Sequence, residues 1–245
     1  MISISHILCP IDFSEFSRHA VHHAIAMARW YDARLTVLHV SVRRGERDLP
    51  LEPAGADRDL LLGDMKAFVG EAGPDVSLGF VTYEASDARQ EILNQADAAG
   101  VDLLVMGSHG RSGFERLLLG SVTEKVIRKA ACPVMVVPRA AHDADRARPV
   151  RFRRLLCPVD FSKGSLNALK YALSIAQEAD AELTLLNAID VPPELAQHPV
   201  SPAIDVDAIR ASAEAARLLH LRELVPESAR EIGRASCRER VCQYV

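Results

Sequence analysis

The sequence predicts an α/β protein: an open five-stranded parallel sheet with helices on both faces, present twice in tandem. Two observations predict it. Short apolar runs alternate with amphipathic stretches, and parallel strands need crossovers of a dozen or more residues, usually helices. In addition, Leu8-Cys9-Pro10-Ile11-Asp12-Phe13-Ser14 returns 148 residues later as Leu156-Cys157-Pro158-Val159-Asp160-Phe161-Ser162, the mark of a duplicated domain. The register holds beyond that motif. Asp32–Leu38 matches Asp180–Leu186, and Ala20, Ala24 and Ala28 match Ala168, Ala172 and Ala176.

In the first copy, residues 1–138, Ile7–Ile11 reads as a buried strand. Ser14–Trp30 follows with apolar residues at helical spacing. Leu35–Val42 is a second strand, the Gly- and Pro-punctuated Arg43–Gly55 a loop, and Ala56–Glu71 a helix. Val76–Tyr83 is a third strand. Asp87 and Gln90 form a capping-box signature that opens a helix to Ala99. Val101–Met106 is the fourth strand, a glycine-rich segment leads to a helix over Ser121–Ala130, and Pro133–Val137 is the fifth strand.

Residues 139–150 read as a linker, without apolar periodicity. The second copy, residues 151–230, repeats the plan through strand Leu155–Val159, helix Ser165–Glu178, strand Leu183–Ile189 and helix Ile204–Leu224. It has no counterpart of Val101–Val137, so half a parallel sheet is left with an unpaired edge. Residues 231–245 show no helix or strand periodicity. They resemble the in-frame translation of a sequencing-library adapter and are set aside as an artefactual tail.

Composition bounds the function. The 245 residues, 49% apolar and 25% charged, suit an ordinary globular protein and exclude disorder and collagen-like architecture. With 29 Lys plus Arg against 33 Asp plus Glu, no basic surplus points to nucleic acid. No secretory leader pattern opens the chain and no run of about 18 apolar residues suggests a membrane span. Five irregularly spaced cysteines read as free thiols. The expectation is a cytoplasmic protein.

In a parallel sheet, ligands gather beyond the carboxyl ends of the strands at the topological switch point. The residues there are Asp12, His39–Ser41 and everything from Gly107 onward. Gly107, Gly110, Gly120 and Ser121 form the pattern G-x2-G-x9-G-S, between a strand and a helix. Backbone amides and the helix dipole favour an anion at such a place. Glycines 107 and 110, taking positive φ, would let a ligand approach the backbone, and a polyphosphate fits. Arg111 would add a fixed positive charge. Asp12 would accept hydrogen bonds from a base or ribose, and Val40 would offer backbone groups to an adenine edge. The competing readings are turn glycines, a Ser121–Glu124 capping box and an Asp12 cap near Ser14.

Other motifs carry less. Neither a Walker motif nor a G-x-G-x-x-G after a strand occurs. His19, His22 and His23 lie at helical spacing but read as a solvated face rather than a metal site. Cys9 and Cys157 read as core residues, and His109 as a loop side chain.

Pro10-Ile11-Asp12, the strand Val101–Gly107, the complete G-x2-G-x9-G-S and the closing Cys132-Pro133-Val134-Met135-Val136-Val137 resemble the universal stress protein family. The resemblance covers Ser3–Pro138 fully and Arg154–Arg230 in part. It implies strand order 3-2-1-4-5, an adenine-nucleotide alpha-hydrolase-like fold, and ATP, with or without Mg, held by Asp12, Val40, Gly107, Gly110, Gly120, Ser121 and Val122. It also implies pairing through the last strand, as a homodimer or between copies. On that basis the second copy should neither bind nucleotide nor complete the partner surface. The leading expectation is an ATP-binding stress-response signalling module whose glycine loop couples nucleotide state to contacts with unnamed protein partners. The alternatives are a slow ATP-hydrolysing or phosphate-transferring enzyme, against which the missing general base and attacking group count, and a nucleotide-free chaperone-like or scaffolding role.

Overall fold

The computed structural model describes residues 2–42, 55–70, 75–110, 119–138, 150–190, 206–225 and 238–244. The chain divides into two compact units, one of Ser3–Val150 and one built on Arg151–Val245. Among the described residues no helix is long and apolar enough to cross a membrane.

In the first unit the elements run β1 (His6–Ile11), α1 (Glu15–Tyr31), β2 (Arg34–Val42), α2 (Gly55–Val69), β3 (Leu78–Ala85), α3 (Ala88–Ala98), β4 (Leu103–Gly107), α4 (Ser121–Lys129) and β5 (Val134–Val137). All five strands are parallel in the order 3-2-1-4-5. The centre is β1, registered Ile7 to Leu35 on one side and Ile7 to Leu103 on the other. Both faces of a central parallel strand are covered, which is why Ile7, Leu8 and Cys9 are all buried. Ala20, Ala24 and Ala28 are likewise buried on α1; their small side chains let the helix axis approach the sheet. Leu8, Leu38 and Leu104 pack on the other face against Ile92 and Leu93 of α3 and Val126 of α4.

Local chemistry fixes the helix ends. Ser14 caps α1 by accepting a hydrogen bond from the Ser17 amide. At the other end Asp32 takes the left-handed conformation (φ 50°), one that a short polar side chain tolerates. Asp87 caps α3 by accepting from the Arg89 amide, but Gln90 turns to Asn94 instead of closing a capping box. Arg89 grips the same carboxylate and pulls Asp87 down to about 2.

The second unit contains β6 (Arg154–Pro158), α5 (Lys163–Glu178), β7 (Glu182–Asp190), α6 (Val206–Glu223) and β8 (Arg238–Tyr244). The three strands are parallel in the order β6-β7-β8. The duplication extends to backbone strain: Phe13 and Phe161 have φ of 64° and 65°, Asp32 and Asp180 of 50° and 51°. Sequence periodicity does not signal β8. It pairs with β7 from Thr184–Arg238 to Asp190–Tyr244, on the same side as β3 on β2. An open edge supplies a row of backbone donors and acceptors that any extended segment can meet without a side-chain pattern.

Candidate functional site

The chain leaves β1 at Asp12, and three residues later, at Glu15, α1 starts. Between them Phe13 is held at positive φ, a conformation costing roughly 1–3 kcal/mol for a non-glycine residue that surrounding contacts must offset. Those contacts are aromatic. Its ring lies 4.9 Å from the His39 ring and 5.3 Å, edge-on, from Phe68, over which the Arg18 guanidinium sits at 4.1 Å. His39 Nδ1 bonds the Ile11 carbonyl at 2.9 Å, closing the end of β1. The strained turn therefore fixes where Asp12 points.

One oxygen of Asp12 accepts from the Ser14 amide (3.1 Å) and hydroxyl (2.5 Å). It braces the residue that caps α1; the cap itself is Ser14. The other oxygen lies 2.6 Å from where a Cβ on Gly110 would stand. This brings the first strand's carboxylate against the glycine loop across the switch point between β1 and β4. Val40 stands on the far side of β1. Beyond the Ile11–His39 pair, β2 continues to Val42 paired with β3 alone, so Val40 lies where β2 overhangs the end of β1.

The ends of the glycine loop are stitched together. Gly120 donates its amide to the Ser108 carbonyl at 2.8 Å, Ser108 donates to Val137 at 2.9 Å, and the Thr123 hydroxyl donates to the Gly107 carbonyl at 2.9 Å. A Cβ on Gly120 would fall 3.2 Å from the His109 Cα and 3.3 Å from the Ser108 oxygen. A side chain here would press on these two backbone segments where they cross. Gly120 is the N-cap of α4 and has no side-chain cap, so Ser121 is the first helical residue and is exposed. The capping box with Glu124 is absent, because Glu124 pairs with Arg128 at 3.0 Å. Val122 is half-buried against the core beneath.

The φ values correct one expectation. Among the described glycines, positive φ occurs at Gly70 and Gly100 and not at Gly107, Gly110 or Gly120. Gly107 serves close packing instead: a Cβ there would lie 2.8 to 2.9 Å from the Phe16 backbone on α1. Arg111 lies outside the described residues. Sequence reasoning missed Thr123, Ser108 and Phe16; a buried hydroxyl two residues into the helix after Gly-Ser was the available signal for Thr123. His109 does not stand alone, since its ring lies 5.2 Å from Phe16 and its Nδ1 3.1 Å from the Ser108 hydroxyl. Among the described residues no group of three or more His, Cys, Asp or Glu is arranged to hold a metal.

A carboxylate at the end of one strand set against the glycine segment that follows the next strand and leads to an uncapped helix places these residues at the topological switch point of a doubly wound α/β domain. The universal stress protein family model matches residues 3–138 and again 151–245, so the chain belongs to that family, with its domain present twice. Universal stress protein MJ0531 of Methanocaldococcus jannaschii is 35% identical over 141 residues, 54% of this chain and 81% of its own length. A universal stress protein crystal structure from Archaeoglobus fulgidus is similar over 98% of this chain and 79% of its own, with 20% identity and TM-score 0.62. A universal stress protein crystallised in complex with cAMP covers 57% of this chain and 100% of its own, at 23% identity and TM-score 0.44.

Proposed function

We propose that the first unit is an ATP-binding module of the stress response. The phosphates lie on the amides at Gly110, Ser121 and Val122, with Gly120, whose own amide is bonded to Ser108, giving them room, while Asp12 and the Val40 backbone hold the nucleoside. The observation that carries this reading is the uncapped start of α4, brought against Ser108–Gly110 by the Gly120–Ser108 hydrogen bond and the close approach at Gly120. Orphan amides and a helix dipole converge there on one point, which suits an anion. Asp12, at the end of the neighbouring strand, suits hydroxyl donors rather than phosphate. Nucleotide bound at this site changes a surface that protein partners read.

Titration calorimetry of the full chain tests this. ATP binds the wild type; Gly120→Val, whose side chain meets backbone, abolishes binding, and Asp12→Ala weakens ATP and adenosine alike. cAMP is the comparison ligand. Unchanged ATP affinity in Gly120→Val, with the fold intact by circular dichroism, refutes the site.

A further inference from the structure

The strained residue after β1 is braced by two helices, and both units keep the chemistry of that brace. Phe13 (φ 64°) meets the ring of Phe68, in the last turn of α2, at 5.3 Å. Arg18 of α1 lies over the Phe68 ring at 4.1 Å, and its Nη1 donates to the Phe68 carbonyl at 2.9 Å. One arginine thus grips the same residue by ring and by backbone. In the second unit Phe161 (φ 65°) lies 5.5 Å from the His220 ring, and the Arg217 guanidinium sits over Phe161 at 5.2 Å. Both partners there come from α6, and the position matching Arg18 is Leu166. A ring and a guanidinium recur beside the strained phenylalanine although the arginine comes from a different helix.

The brace joins the docking of α2 to the direction of Asp12. Residues 57–60 of α2 are exposed, and its buried side chains, Met65, Phe68 and Val69, lie in its last turns. Phe68 is therefore one of the few residues that seat this helix, and it is also the ring on which Phe13 rests. Phe13 stands between Asp12 and Ser14, whose amide and hydroxyl bond one Asp12 oxygen while the other faces Gly110. Positive φ at a non-glycine residue persists only where its surroundings over-determine it. Removing the Phe68 ring or the Arg18 guanidinium relaxes the turn, and with it the aim of the Asp12 carboxylate.

We propose that Arg18 and Phe68 are positioning residues that tie the docking of α2 to the orientation of Asp12, so that a ligand held by Asp12 and the seated α2 stabilise one another. The identity of that ligand rests on the nucleotide reading above, whereas the tie itself does not. Coupling of this kind is reciprocal. A ligand at Asp12 protects the last turn of α2, and whatever loosens that turn weakens the ligand.

Amide NMR of the full isotope-labelled chain reads the tie without any ligand. Arg18→Met and Phe68→Leu should each move the Ser14 and Gly110 signals and leave those of α3, on the opposite face of the sheet, in place. Arg18→Lys, which keeps a cation and a donor, should fall between the wild type and Arg18→Met. In calorimetry Arg18→Met should weaken adenosine and ATP about fivefold, but less than about twofold when Asp12→Ala is already present, because the route runs through Asp12. In the wild type, adenosine should slow hydrogen exchange at the Gly70 amide, which bonds the Lys66 carbonyl at 2.9 Å. Ser14 and Gly110 signals unmoved in both variants overturn the proposal, and so does an equal loss of affinity with and without Asp12. If both variants fail to fold, the exchange result decides, and unslowed exchange at Gly70 with adenosine bound overturns the tie. A wild type that binds neither adenosine nor ATP refutes the nucleotide reading instead, and the Ser14 and Gly110 signals still decide the tie.

Discussion

His6 is a polar residue in a core strand, buried at the start of β1. Its Nε2 lies 2.9 Å from the Thr36 hydroxyl, its Nδ1 3.2 Å from the Ala99 carbonyl, and the Arg34 guanidinium 3.1 Å away. Burial lowers its pKa from 6.5, Arg34 adds to that, and the Ala99 hydrogen bond and Asp102 oppose it without prevailing. The folded protein thus holds the ring neutral while the unfolded chain protonates it near 6.5. Stability should be full above about pH 6.5 and fall as pH drops through that value toward the folded pKa. Denaturant unfolding followed by the fluorescence of Trp30, the single tryptophan, should give a lower midpoint at pH 5.5 than at 7.5, and His6→Gln should flatten the difference. An equal slope in both proteins refutes this account. His23, likewise lowered by burial, adds a slope of the same sign that the variant keeps. At this scale the site was partly legible. Asp12 and the glycine pattern could be read because a strand end and a spacing are local features. The reason for Gly107 could not be read, since Phe16 approaches it from another element.

Elements repeat between the copies and their environments do not. Ser14 and Ser162 cap α1 and α5 in the same way, and Asp12 and Asp160 each accept from the capping serine. Hydrogen bonds from Ser162 and Ser165 pull Asp160 down to about 2. His39 bonds the Ile11 carbonyl, and Asn187, its counterpart, donates to the Val159 carbonyl at 2.7 Å. An amide nitrogen thus replaces a ring nitrogen in closing the same strand end. Against that constancy, Leu8 and Leu156 make a controlled pair. Leu8→Ala removes a fully packed side chain and should cost the first unit roughly 2–5 kcal/mol, whereas exposed Leu156→Ala should stay within about 0.5 kcal/mol. Trp30 fluorescence reads the first change. Hydrogen exchange in β6 and β7 reads the second, and a large loss of protection there would show that Leu156 is covered.

For the whole molecule, duplication does not mean two equal sites. The G-x2-G-x9-G-S segment occurs once, in the first unit, and the second retains only the Asp160 turn. Calorimetry should therefore saturate at about one ATP per chain, since adenosine contacts without the phosphate cradle give up the charge-assisted hydrogen bonds that dominate polyphosphate binding. A stoichiometry of two would overturn that assignment. Sequence by itself determined the fold class, the duplication, the strand and helix order of the first unit and the candidate residues at the strand ends. These follow from periodicity, spacing and self-similarity, which act along the chain. Only the tertiary structure decided that Gly107 makes room for a helix, that Gly120 lies where two backbone segments cross, and that Leu8 is buried while its counterpart Leu156 is exposed. Those outcomes depend on which distant segment arrives alongside, and a linear pattern does not specify its neighbour.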